Sequence, residues 1–164
     1  MRFSEVIDVR DGTHDTPKYV LKGIPLVTSK NLVSGKIDFD TTKLISEEDA
    51  AIINMRSEVN TGDILFAMIG TIGNTVLVKK DREFCIKNMA LFKSIDNHLF
   101  DMRYLLLFLQ KEQEQMKKNA SGGVQSFVSL KFLRNYLLPL PPLAEQKRIV
   151  EKLEQLLPLC ERLK

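Results

Sequence analysis

The alternation of hydrophobic and polar residues divides the first hundred residues into short apolar runs separated by polar turns. Apolar runs that are bounded by Gly, Pro, Asn and Asp are typical of β-strands. The candidate strands are residues 4–9, 24–29, 63–70, 75–80 and 88–95. Glycine-rich or polar turns separate the last three, and this favours a mostly antiparallel sheet. The GTIGN stretch between two of these runs predicts a hairpin rather than a phosphate-binding loop, because no helix follows it directly.

Helical segments are predicted where a capping residue precedes an apolar pattern. Ser46, with Asp49 three residues later, predicts the start of a helix over 46–55. Asp101 predicts the N-cap of a helix that runs to residue 118 and is stopped by NASGG, and Ser129 predicts the cap of a short helix. Together these elements predict a mixed α/β fold, in which a β-rich twisted sheet has flanking helices.

A proline-rich joint, LPLPP, separates this domain from a last amphipathic helix. Each proline moves the residue before it out of the α-helical region, so the joint is expected to be extended. Pro142 then suits the first turn of a helix, where its missing N–H costs nothing. We therefore divide the chain into a domain over 1–138 and a proline-led helix over 139–164.

The apolar stripe of this long C-terminal helix has the spacing of a heptad seam. Burying such a stripe must supply most of the stability, because an isolated helix is marginal in water. The stripe could fold back on its own domain, but the stiff joint and the narrow seam favour pairing with another helix. Pro158 is expected to kink or end the helix. The predicted helix-pairing residues are Leu143, Gln146, Val150, Leu153, Leu157 and Cys160.

Composition indicates a globular protein without a disulfide framework or a membrane segment. The chain of 164 residues is 44% hydrophobic and 27% charged, with a net charge of +3, and its excess of Lys and Arg lies in residues 111–164. Cys85 and Cys160 lack disulfide or metal spacing and suit a reducing compartment. The N-terminus has no apolar signal segment, and the apolar run 104–109 is too short for a bilayer. We expect a cytoplasmic protein with no membrane partner.

No arrangement of residues predicts a catalytic centre. His14 and His98 have no Cys or His at metal-ligand spacing, so neither a metal ion nor a cofactor is expected. Glu145 and Lys147 have the E-x-K spacing of metal-dependent nucleases, but no Pro-Asp dipeptide accompanies them. A carboxylate in a first helical turn is expected simply to offset the helix dipole. Nucleophile-elbow, Walker A, G-x-G and Asn-Pro-Pro-aromatic motifs are missing as well.

The sequence does offer polar loops that are rich in cations and short hydrogen-bonding side chains. Lys and Arg suit guanine or phosphate, Asn and Gln suit adenine, and Ser and Thr suit either. The alternative is that these are ordinary solvated turns, and composition alone favours that alternative. The candidate DNA-binding residues are Thr13, His14, Thr16, Lys18, Thr28, Ser29, Lys30, Asn31, Lys87, Asn88, Lys118, Asn119, Ser121, Gly122, Gly123, Gln125 and Ser126.

Taken together, these stretches resemble one known family over almost the whole chain. LPLPPLAEQKRIVEKLEQL is similar to the junction that follows a target recognition domain in the specificity subunits of type I restriction–modification enzymes. DGTHDTPKY, GDILFAMIGTIGNTVLV and SGGVQSFVSLKFL are also typical of such domains. The resemblance implies a non-catalytic subunit whose two recognition domains each read half of a split duplex DNA target. Two long antiparallel helices hold the domains apart and dock the methyltransferase subunits, while restriction belongs to a separate subunit.

The resemblance further implies that this chain reads one half-target and pairs through its last helix. With one recognition domain and one spacer helix, it would be about half of the usual subunit. It is then either a truncated gene or fragment, or one of two copies that pair and read an inverted repeat. The second hypothesis is a helix-mediated scaffold that joins the complex without reading DNA.

Overall fold

Two four-stranded sheets form the body of the fold in the computed structural model, which describes residues 1–120 and 127–163. The helices are α1 (Phe3–Val6), α2 (Glu47–Ser57), α3 (Met102–Lys118), α4 (Leu130–Asn135) and α5 (Leu143–Glu161). The strands are β1 (Ile7–Asp11), β2 (Tyr19–Val20), β3 (Ile24–Val27), β4 (Leu32–Val33), β5 (Lys36–Ile37), β6 (Lys43–Ile45), β7 (Ile64–Ala67), β8 (Thr75–Leu77), β9 (Cys85–Ile86) and β10 (Met89–Ser94), with a 3-10 turn at Ser29–Asn31. The prediction of a mixed α/β domain with a C-terminal helix is confirmed.

The first sheet has the order β1-β10-β7-β8, and every neighbouring pair in it is antiparallel. Its two central strands are apolar at successive positions because both of their faces are covered. Phe66 and Phe92 face the core beneath α3, whereas Leu65 and Leu91 face a second core on the opposite side. The predicted antiparallel sheet is therefore confirmed, and continuous apolar runs mark the strands at its centre.

The second sheet has the order β2-β6-β3-β9 and contains one parallel pair. In that pair Leu26 lies opposite Cys85 and Val27 lies opposite Ile86. A small hairpin, β4–β5, turns through Ser34 and Gly35 at φ 51° and 75°, the backbone conformation of a tight hairpin turn. These two strands are not among the candidate strands predicted from the sequence, because strands of two residues carry too little pattern to be recognised.

The predicted strand over 4–9 is partly wrong, since α1 occupies its first half and β1 begins at Ile7. Tertiary packing explains the difference. Phe3 is fully buried, with its ring 5.7 Å from the ring of Phe92. Its backbone N–H donates to the carbonyl of Tyr136 over 3.0 Å, so the start of the chain is held by the segment that precedes α5.

The predicted helix caps and the predicted hairpin are present. Ser46 accepts from Asp49 N over 3.1 Å, Asp101 accepts from Arg103 N over 2.9 Å, and Ser129 accepts from Phe132 N over 3.1 Å. The GTIGN stretch lies in the connection between the antiparallel strands β7 and β8. Within it Gly70 and Gly73 have φ 72° and 89°, a conformation that favours glycine.

The last helix only partly meets the expectation of a free pairing surface. Gln146 and Val150 are fully buried, and Val150 belongs to the same core as α3. These two residues are therefore covered by their own domain, which corrects their assignment to a helix-pairing face. Leu143 and Leu153 are half-buried. The second half of the stripe is open, and Leu157 is 44% exposed.

Two further expectations about α5 are changed by the structure. Pro142 is the N-cap rather than a residue of the first turn, and the helix continues through Pro158 before it ends at Glu161.

Within residues 1–120 and 127–163, no helix is both long and apolar enough to cross a bilayer.

Candidate nucleic-acid interface

One open cavity of about 480 Å³, here called the loop cavity, brings together several of the predicted polar segments. It draws on four separate stretches of the chain, and both of its cationic lining residues are lysines. Five of the candidate DNA-binding residues line it. The full lining is Tyr19, Thr28, Ser29, Lys30, Ile69, Gly70, Thr71, Lys87 and Asn88.

The parallel pairing of β3 with β9 explains why residues 28–30 and 87–88 meet. Strands that run in the same direction end at the same edge of a sheet, so the residues that follow them lie side by side. The backbone N–H of Lys87 donates to the carbonyl of Val27 over 2.9 Å, which extends this pairing to the edge of the cavity.

The loop after β1 is attached to the same edge. Thr13 N donates to the carbonyl of Ile86 over 3.1 Å, and the Thr13 carbonyl accepts from Asn88 N over 3.1 Å. The Lys87 ammonium donates to the hydroxyl of Thr16. Lys18 is exposed and directly precedes Tyr19, which lines the cavity. The structure thus brings loop 13–18 together with the other two predicted segments.

His14 contacts two other residues of this region. Its Nε2 atom lies 2.6 Å from a carboxylate oxygen of Asp11, and its Nδ1 atom lies 3.0 Å from Asn88 Oδ1. The other carboxylate oxygen of Asp11 pairs with the guanidinium of Arg56, which belongs to α2. His14 therefore belongs to a side-chain network rather than standing free in a polar turn.

Asn31 has a structural role, which corrects its assignment as a DNA contact. It is only 4% exposed. Its side-chain oxygen accepts from Thr28 N over 2.8 Å and from the Thr28 hydroxyl over 3.1 Å, and its amide nitrogen donates to the Thr41 hydroxyl over 3.0 Å. These bonds use the groups that would otherwise read a base. Asn31 shapes the turn that presents Ser29 and Lys30.

The Ser29 hydroxyl is a polar group of this turn that could bond to a ligand. Its oxygen is buried and has no hydrogen-bond partner among residues 1–120 and 127–163. A buried polar atom in this state is uncommon in native proteins. Because Ser29 lines the loop cavity, a bound group that reached it would supply the missing hydrogen bond.

The predicted segment after α3 is only partly described. Lys118 and Asn119 are exposed at the end of α3 but do not line the loop cavity, and the Asn119 side chain donates to the carbonyl of Gln115 over 3.0 Å. Phe127 forms a β-bridge with Ile69, a residue of the cavity. The remaining predicted residues, Ser121, Gly122, Gly123, Gln125 and Ser126, lie outside the described part of the chain.

The ammonium groups around the cavity carry charge that the described residues do not neutralise. Lys18, Lys30 and Lys87 form no ion pair within 1–120 and 127–163. The carboxylate of Asp11 is instead paired with Arg56. Unpaired cations beside short polar side chains can hold phosphates while the polar groups reach base edges. The same region contains Asp15, which is exposed.

Sequence reasoning missed four residues of the cavity. Ile69, Gly70 and Thr71 were assigned to a hairpin turn alone, and only the assembled sheets place that turn beside residues 28–30. Tyr19 carried a usable signal in the sequence, because it is an aromatic residue that directly follows Lys18, and in the structure it is 47% exposed. Aromatic side chains between cations are typical of surfaces on which bases stack.

The fold and this interface define a class: an α/β domain with a polar, cationic edge of loops, followed by a partly uncovered helix. The family model for the type I restriction modification DNA specificity domain matches residues 16–164. The chain therefore belongs to this family.

Curated relatives agree with the family assignment. The chain is 28% identical over 136 residues to the EcoBI specificity subunit of Escherichia coli, which aligns 82% of this chain with 28% of that protein. It is 32% identical over 141 residues to the putative MjaX specificity subunit of Methanocaldococcus jannaschii, aligning 79% of this chain with 32% of that one. These relatives are specificity subunits, the non-catalytic components of their complexes. The chain spans about a third of their length, which is less than the expected half.

Solved structures share the fold. The HsdS subunit from Thermoanaerobacter tengcongensis superimposes with a TM-score of 0.74 at 22% identity, over 100% of this chain and 38% of that one. The S subunit of the type I system from M. genitalium superimposes with a TM-score of 0.64 at 16% identity, over 94% of this chain and 37% of that one. The first of these matches covers the domain and the C-terminal helix together.

Proposed function

We propose that this chain reads one half of a split duplex DNA target as a specificity component of a type I restriction–modification system. The observation that carries the proposal is the convergence of three predicted polar segments at one sheet edge: 28–30 and 87–88 line the loop cavity, and 13–18 is bonded to 87–88 beside it. Loops on a rigid sheet are where binding residues collect. Family membership supplies the class of ligand, and the arrangement of side chains supplies the surface.

The candidate residues that line the cavity, together with Lys18 beside it, divide into two roles by their chemistry. Lys18, Lys30 and Lys87 are suited to contact phosphates, which provide affinity but no sequence information. Ser29 and Asn88 are suited to contact base edges, which provide specificity. Domain 1–138 is then the recognition domain.

The second part of the proposal concerns helix α5. Its first half is buried against the domain through Gln146 and Val150, which holds its direction relative to the loop cavity. Its second half exposes Leu156, Leu157 and Leu159. Leu156 and Leu157 are adjacent around the helix, and exposed leucines on a helix suit pairing with a second helix. Segment 139–164 then pairs with a second copy of the chain or with another half-subunit. The same segment docks the methyltransferase and restriction subunits that the DNA reader positions.

The proposal is tested by measuring DNA binding with the methyltransferase subunits present. Fluorescence anisotropy on a randomised duplex pool should show binding that weakens steeply with salt. Lys87→Ala should lower the affinity for all sequences alike, and the slope of log K against log salt should fall by about one. Lys131→Ala is the matched control, since this exposed lysine lies on α4 and does not line the loop cavity. Binding that is absent, or that does not respond to salt, contradicts DNA reading.

The second candidate function is a helix-mediated scaffold that joins the complex without reading DNA. The exposed leucines of α5 favour it, because they provide a docking surface that does not require the loop cavity. Under this alternative the chain associates with partner subunits, and Lys87→Ala and Lys131→Ala have the same small effect on any DNA binding. The same anisotropy experiment therefore separates the two functions.

A further inference from the structure

A chain of three side chains, Asp11, His14 and Asn88, leads from the interior of the domain to the wall of the loop cavity. Asp11 is at the end of β1 and only 7% exposed, His14 lies in the loop that follows, and Asn88 lies between β9 and β10. His14 Nε2 is 2.6 Å from the Asp11 carboxylate, and His14 Nδ1 is 3.0 Å from Oδ1 of the Asn88 side-chain amide. Only Asn88 of these three lines the cavity.

Asp11, the innermost of these three side chains, is held by two partners. One carboxylate oxygen of Asp11 pairs with Arg56 of α2, and the other faces His14 Nε2. An ionised carboxylate is an acceptor only, so the imidazole must donate from Nε2. A neutral imidazole that donates at Nε2 accepts at Nδ1, and this tautomer determines what Asn88 must offer.

His14 in turn orients the Asn88 carboxamide. In the structure Asn88 Oδ1 is the atom beside His14 Nδ1, but the oxygen and nitrogen of a carboxamide exchange places by a half-turn. Beside the Nδ1 atom of a neutral imidazole, which accepts, the amide nitrogen is the group that must face His14. Of the two N–H groups, the one pointing away from the amide oxygen then donates to His14. The oxygen and the remaining N–H stay together on the free edge. The backbone is held too, since Asn88 has φ 53° and its N–H donates to the Thr13 carbonyl over 3.1 Å.

We propose that Asp11 and His14 position the carboxamide of Asn88 to read an adenine in the major groove, and that Asn88 makes the base contact. The inference rests on the proposed DNA-reading function and deepens it. The free edge of the amide accepts from adenine N6–H and donates to adenine N7, which is the bidentate pairing for which Asn is suited. His14, predicted from the sequence as a DNA contact, is then a positioning residue.

The free edge also determines which bases are rejected. Guanine presents two acceptors, N7 and O6, in the major groove, so the Asn88 oxygen would face an acceptor there. A good bidentate pair discriminates against a wrong base by roughly 10- to 100-fold. Without His14 the carboxamide is free to rotate, and the discrimination should fall although Asn88 is still present.

The test compares base preferences of variants in the full chain with methyltransferase subunits. Selection from a randomised duplex pool should give an adenine preference at one position that Asn88→Ala removes. His14→Ala should remove most of the preference at that same position and leave the other positions unchanged. The double variant should be no worse than Asn88→Ala, because residues that act as a unit are not additive. His14→Gln, which keeps a donor beside an acceptor, should restore much of the preference.

A second measurement does not require DNA. The side-chain amide protons of Asn88 should give resolved NMR signals that exchange slowly in the wild type and in His14→Gln, and rapidly in His14→Ala. Thermal melting establishes that each variant is folded. Asn135→Ala is the control, because this exposed Asn of α4 does not line the loop cavity, and it should leave the Asn88 signals unchanged.

The outcomes distinguish the two levels of inference. A wild-type complex without sequence-selective binding overturns the DNA-reading function, and this inference with it. Selective binding in which His14→Ala weakens all sequences equally, or changes a position other than that read by Asn88, overturns the positioning role alone. A guanine preference at the Asn88 position also overturns it.

Discussion

The side-chain oxygen of Gln146 in α5 accepts a hydrogen bond from the backbone N–H of Asp101, the N-cap of α3, over 2.9 Å. The Gln146 nitrogen donates to the carbonyls of Leu99 and Pro141 over 3.1 and 2.9 Å. One fully buried amide thus connects the start of α5 with the start of α3 and with the proline joint. The direction in which α5 leaves the domain depends on this connection.

Replacing Gln146 should therefore destabilise the domain strongly. Gln146→Leu has a similar volume but leaves the Asp101 N–H and the carbonyls of Leu99 and Pro141 without their partner at a partly buried site. Since each such group costs about 1–3 kcal/mol, we expect a loss of about 2–5 kcal/mol in the free energy of unfolding. Urea unfolding measures it, with the exposed neighbour variant Lys147→Ala as the control. Equal midpoints for the two variants would contradict the structural role of Gln146.

The exposed half of α5 should mediate association without stabilising the monomer. Leu157→Asp places a charge on a side chain that is 44% exposed, so the folded chain should tolerate it. The apolar contact with a partner helix should be lost, because a buried unpaired charge is costly. Light scattering should show a smaller mass than for the wild type, whereas Glu151→Lys, at an exposed position that does not share the face of Leu156 and Leu157, should not. An unchanged mass would count against pairing through this surface.

Asn31 should act on stability rather than on base preference. Asn31→Ala removes the acceptor of two bonds from Thr28 and the donor to Thr41 at a position that is 4% exposed. We expect a loss of about 1–3 kcal/mol in unfolding free energy. In the randomised-pool selection the order of preferred bases should be the same as for the wild type. A change at a single base position would restore Asn31 as a DNA contact.

Alkaline pH should destabilise the fold through Cys85. Burial, together with the nearby charge of Glu83, raises the pKa of this thiol from 9.0 to about 11. Between these values the unfolded chain loses the thiol proton while the folded chain keeps it, so the unfolded state binds fewer protons and stability falls as pH rises. Burial and a hydrogen bond to Glu112 also raise the pKa of Tyr136, to about 12, which extends the loss in the same direction.

Denaturant unfolding at pH 7, 9 and 10 measures this loss. Cys85→Ala should make the pH dependence shallower over this range, and Cys160→Ala, at an exposed position, should leave it unchanged. In the folded wild type a thiol reagent should modify Cys160 rapidly and Cys85 only on unfolding. Rapid modification of both thiols would show that Cys85 is accessible.

Most of the helices and strands could be predicted from the sequence, because the interactions that form them lie within short stretches of the chain. Ser46, Asp101 and Ser129 each satisfy backbone N–H groups within three residues, so their signals lie in short stretches of sequence. The central strands β7 and β10 are apolar at every position that faces a core, which made them recognisable. By contrast, the first turn of the chain became a helix through contacts with residues more than eighty positions away, such as that of Phe3 with Phe92.

The candidate interface was predictable in residue type but not in role. Lys87 and Asn88 were identified as polar loop residues, and the parallel pairing of β3 with β9 brought them beside Ser29 and Lys30. Asn31 has the same chemistry as Asn88 and is three residues from a cavity-lining Thr, yet its amide is used inside the fold.

By itself the sequence determined the α/β class, the capped helices, the hairpin at GTIGN and the family, because these depend on local patterns and motifs. Only the tertiary structure decided which half of the α5 stripe is covered and which Asn faces the cavity. Burial and hydrogen-bond partnership are properties of residues that are distant in the chain and adjacent in space. A stripe of Leu and Val has the same pattern whether its own domain or another helix covers it.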